Sequence, residues 1–63
     1  MNIDYQAILA ICDALHDKGA HHLAGSLACA SSRVAITAVQ KDVMNGGYPD
    51  LAHSISEAAG LYH

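Results

Sequence analysis

An all-α fold follows from three features of this 63-residue chain. Apolar residues recur at helical spacing along most of its length. No stretch alternates with the period of two that a half-buried strand needs. Gly19, Gly46, Gly47 and the single proline, Pro49, fall between the periodic stretches, where turns are wanted. Together these predict a small bundle of three helices with short turns, or four if the middle element divides, in one domain spanning residues 1–63.

The spacing predicts a first helix over residues 3–18. At about 100° per residue, Tyr5, Ile8, Ile11, Cys12 and Leu15 fall on one arc, with Leu9 and His16 at its edge and Gln6, Asp13 and Asp17 opposite. Asn2 is the expected N-cap, and Asp4 suits the positive helix end. His16 and Lys18 suit the negative end, and Gly19 can take the left-handed conformation that closes it.

The second element is expected over residues 20–44. Its first half carries the stripe Leu23, Leu27, Ala30 and Val34. Its second half carries Ile36, Val39 and Val43 on nearly the opposite side, in line with Gly25, Cys29 and Ser32. Read as one rod, it is a long two-sided middle helix, which must be covered on both flanks. The stretch Ala30-Ser31-Ser32-Arg33 is its weak point, because Ser32 can N-cap a new helix and divide the rod into 20–30 and 33–44. Asn45-Gly46-Gly47 then makes a turn, and Pro49 opens a last helix over 49–61, with Asp50 in its first turn. Leu51, Ile55, Ala58 and Tyr62 are its expected stripe, with Ala52 and Ala59 beside them.

Composition narrows the function. The formal charge is −3, and Lys18, Arg33 and Lys41 are the only cations besides histidine. Nucleic-acid binders draw much of their affinity from neutralised phosphates, so this balance weighs against that class, and a polybasic membrane anchor is excluded. The N-terminal run is interrupted by Asp13 and Asp17 and does not read as a targeting signal, which predicts a cytoplasmic protein with Cys12 and Cys29 as reduced thiols. With no Phe and no Trp, the core must rest on Ile, Leu, Val and Ala. A chain of this size buries only about 60% of its unfolded surface, so a second copy is an expected source of stability.

Three constellations carry possible chemistry. The first is CDALHDKGAHH, residues 12–22, where Cys12, His16, His21 and His22 are the candidate metal ligands. The Cys-x3-His-x4-His-His spacing matches no standard zinc arrangement. Cys12 sits where a small core residue belongs, and the histidines are accounted for by helix ends. No cofactor is expected. Second, the serines, cysteines and histidines include no nucleophile elbow, and there is no phosphate-binding glycine loop, so no enzyme is expected.

The third is a helix-turn-helix pattern, in two registers. In LAGSLACASSRVAI, Leu23, Ala24 and Val34 stand where the motif wants a hydrophobe, a small residue and a hydrophobe. In RVAITAVQKDVMNGG, Val34 to Lys41 reads as a recognition helix, and PDLAHSISEAAGL after it is similar to the closing helix of repressor-type domains. The departures are Ala28 or Arg33 in place of the turn glycine, and Thr37 or Asp42 at a normally apolar position. Arg33, Thr37, Gln40 and Lys41 are the groove-facing candidates of this alternative.

The primary expectation is a small non-enzymatic regulator or adaptor, such as an inhibitor or an assembly subunit. It would act by protein–protein interaction and form a homodimer through Val34, Ile36, Val39 and Val43 of the middle element. DNA binding by the helix-turn-helix is the alternative, and a zinc-binding helical domain the lesser one.

Overall fold

Among the described residues four helices follow one another, separated by turns of three residues: α1 Tyr5–Asp17, α2 His21–Cys29, α3 Arg33–Asn45 and α4 Pro49–Ala59. This is a computed structural model, and it describes residues 3–60. The described residues are all-helical, with no strand. The expected cap Asn2, the stripe residue Tyr62 and the last expected helical residue, Leu61, lie outside them.

The helix ends follow from a few polar atoms and glycines. Asp4, not Asn2, caps α1: its Oδ1 accepts from the Ala7 N–H at 3.1 Å. Gly19, at φ +83°, closes the other end. Its N–H donates to the His16 carbonyl and the Ala20 N–H to that of Leu15, at 3.0 and 2.9 Å, the paired bonds of a Schellman motif. The end of α3 repeats this device, with Gly47 at φ +93° and the Tyr48 N–H donating to the Val43 carbonyl at 3.2 Å.

The middle element is two helices. Ala30 is extended at ψ 117°, and Ser32, at φ −137° and ψ 160°, caps α3 by accepting from the Ala35 N–H at 3.2 Å. The long two-sided rod is thereby corrected, and so is its second apolar flank. The break resets the helical phase, so α2 buries Ala24 and Leu27 while α3 buries Ile36, Val39 and Val43. Each helix has one buried side, and two half-stripes on opposite flanks of an unbroken rod become two ordinary amphipathic helices.

The helices pack as a ring. α1 lies against α2 and α4, α3 lies against α2 and α4, and neither diagonal pair is in contact among the described residues. Ile8, Leu15, Leu27, Ile36, Val43 and Ile55 are fully enclosed at the centre. Burying each such side chain contributes about 1.5–3 kcal/mol. In α4 the buried residues are Ala52, Ile55 and Ala59, with Leu51 and Ala58 on the flank, so the stripe is turned by one position from its expected centre.

Polar atoms tie the ring at its edges. The Asp4 N–H donates to the Ala58 carbonyl at 2.9 Å, the Gln40 Nε2 to Ser56 Oγ at 3.0 Å, and the Tyr5 hydroxyl to the Ser31 carbonyl at 3.2 Å. Among the described residues no buried side chain is polar or charged, and no helix is long and apolar enough to cross a membrane.

Candidate functional site

Of the four residues expected at a protein contact, Ile36, Val39 and Val43 lie in the chain's own core, and only Val34 is left on the surface, at 81% exposure. The reason is the phase reset at Ser32. The flank assigned to a partner is the flank that meets α2 and α4.

The helix-turn-helix candidates divide differently. Arg33, Thr37 and Lys41 share one side of α3 with Val34 and Ala38, and the five residues line an open depression of about 420 Å³. On a helix they span an arc of about 140°, directly away from the buried Ile36, Val39 and Val43. Gln40 does not belong with them. It lies on the α4 side, where its amide is committed to Ser56. Thr37 accounts for one departure from the motif: its side chain need not be apolar, because it lies on the outer face with its Oγ1 donating to the Arg33 carbonyl at 2.8 Å. Ala28, where the first register wants its turn glycine, lies inside α2, two residues before the turn. The turn Ala30–Ser32 runs through extended backbone, with no positive-φ residue outside glycine among the described residues, so no glycine is required there.

Charge is distributed unevenly around the ring. Asp4, Asp13, Asp17, Asp50 and Glu57 all belong to α1, α4 and their caps, whereas α2 and α3 carry Asp42 as their one carboxylate, with Arg33 and Lys41. The first turns of α2 and α3 contain no acidic residue, and α2 begins after Ala20 with no side-chain cap, leaving its first amides without a side-chain partner.

The metal candidates do not converge. Cys12 is buried in the core, and its thiol pKa is raised by that burial and, to a lesser extent, by the Asp13 charge; both disfavour the thiolate that a metal needs. His16 and His21 meet edge to face across the α1–α2 turn, with ring centroids 4.2 Å apart, and His22 is exposed. Among the described residues no three His, Cys, Asp or Glu side chains gather at one point. A second depression, about 390 Å³, lies between α1 and α4. Of its carboxylates, Asp4 caps α1, and Glu57 is exposed, 3.7 Å from His53.

No family model, curated protein or solved structure matches this chain.

Proposed function

We propose that the chain binds duplex DNA as a helix-turn-helix module, with α3 as the helix that enters the major groove. One observation carries this reading. Arg33 and Lys41, two of the chain's three Lys and Arg residues, stand on the open side of α3, and α3 follows α2 through a three-residue turn. A helix–short turn–helix pair with an outward second helix is the arrangement that lays side chains against base edges.

The charge objection loses force when charge is read by position. Five of the six carboxylates belong to α1, α4 and their caps, with Asp42 the one on α3, and α3 sits diagonally across the ring from α1. The unpartnered amides at the start of α2 suit a phosphate, since a helix N-terminus offers N–H donors and the positive end of a dipole.

Arg33 and Lys41 take phosphates or base edges, and Thr37, Val34 and Ala38 lie between them in sequence. Two cations per copy make a weak contact, so the working unit in this reading is a homodimer on two half-sites about 34 Å apart, in the compartment that holds the DNA. The adaptor reading keeps Val34 alone of its four contact residues.

A titration of labelled mixed-sequence duplex, followed by anisotropy at about 50 and then about 200 mM salt, tests the proposal. Binding that weakens steeply between the two supports it. Absence of binding at the lower salt, with the chain folded by circular dichroism, removes it.

A further inference from the structure

The outer face of α3 is unusual for a groove-reading surface in what it lacks. Between its two cations it presents Val34, Thr37 and Ala38. Among the described residues Val34 is the most exposed of the large hydrophobic side chains, at 81%. Thr37 has already given its hydroxyl proton to the Arg33 carbonyl, so it brings a methyl group and an acceptor but no free donor. The one amide between the two cations in sequence, that of Gln40, is committed to Ser56. The bidentate purine readout that Asn and Gln make is therefore not available from this strip.

In the major groove, the base-edge feature that an apolar side chain can recognise is the C5-methyl group of a pyrimidine. Val34 and Ala38 are separated by about 6 Å of helix rise, which spans about two base-pair steps. Resting on the DNA-binding reading above, we infer that Val34, with Thr37 and Ala38, selects sites by the 5-methyl groups of pyrimidines at two neighbouring positions. Arg33 and Lys41 fix the helix to the groove on either side. The source of the methyl is thymine or 5-methylcytosine.

The test begins with selection of bound duplexes from a random-sequence pool. The enriched site is then synthesised with deoxyuridine in place of thymidine, and separately with 5-methylcytosine in place of cytosine. Each lost methyl is expected to weaken binding about fourfold, the effect of one methyl-sized group leaving water. Thymine is the source if the uridine duplex binds more weakly, and 5-methylcytosine if the methylated duplex binds more tightly; either supports the inference. In Val34→Ala the preference for the methylated base should shrink, whereas Arg33→Ala should weaken methylated and unmethylated duplexes equally. Equal affinity for all the duplexes overturns the methyl reading while leaving DNA binding in place. Failure to enrich any duplex overturns both.

Discussion

Single residues decide which surfaces this molecule can offer. Val39 illustrates the point: by periodicity on an unbroken rod it faces a partner, but in the bundle it faces α2 and α4. Val39→Asp therefore places an unpaired carboxylate in an apolar core, which a chain of this size cannot tolerate. Loss of the far-ultraviolet helical signal at 25 °C is the expected result, where a contact residue would have left the helices intact. The two thiols provide a second contrast. Cys29 is exposed, while Cys12 is buried with a raised pKa, so its thiolate is scarce. Brief treatment of native protein with a maleimide should label Cys29, with Cys12 following only in denaturant. Mass spectrometry of the peptides reads the difference, and equal labelling would contradict the packing of α1. The sign of the pH effect follows from the same shift. Because the folded state raises the Cys12 pKa, the folded chain holds the proton longer than the unfolded one, and stability declines as pH rises past the ordinary thiol range.

At the scale of elements, the turn at Ala30–Ser32 determines the architecture. Ser32 caps α3, so Ser32→Ala should cost about 1 kcal/mol, seen as a lower urea midpoint at unchanged slope. Were residues 20–44 one rod, the same change would improve helix propensity and raise the midpoint. This turn also marks how far the sequence could be read. The first helix was legible because Ile8, Ile11, Cys12 and Leu15 keep one phase with no competing signal. The glycine closures at Gly19 and Gly47 were equally plain, since their backbone requires a positive φ that few other residues adopt. Ser32 was visible as a potential cap, but whether the break is used depends on the tertiary gain from burying Ile36, Val39 and Val43 against α4, which no local pattern reports. Three of the four expected contact residues, Ile36, Val39 and Val43, are buried for that reason. Arg33, Thr37 and Lys41 stay together because their relative phase lies within α3 alone, and the break does not disturb it. Gln40, one position before Lys41, is lost to a bond with α4 that only the assembled ring discloses.

For the whole molecule, the proposal comes down to where charge sits. A net charge of −3 describes a body with five of its six carboxylates on α1, α4 and their caps, and with Arg33, Lys41 and the sixth, Asp42, on α3. Lys18, the C-cap of α1, stands three residues before the start of α2 and off the α3 face, and provides the comparison. The most direct test is the slope of log affinity for duplex DNA against log salt concentration, compared between the parent chain and Arg33→Ala, Lys41→Ala and Lys18→Ala. Each α3 substitution should reduce the slope by about two for the dimer and weaken binding to all sequences, because each removes one phosphate contact from each copy. Lys18→Ala, which removes nothing from the α3 face, should reduce the slope by less than either. A loss at Lys18 equal to the losses at Arg33 and Lys41 would mean that α3 is not the face that meets the DNA.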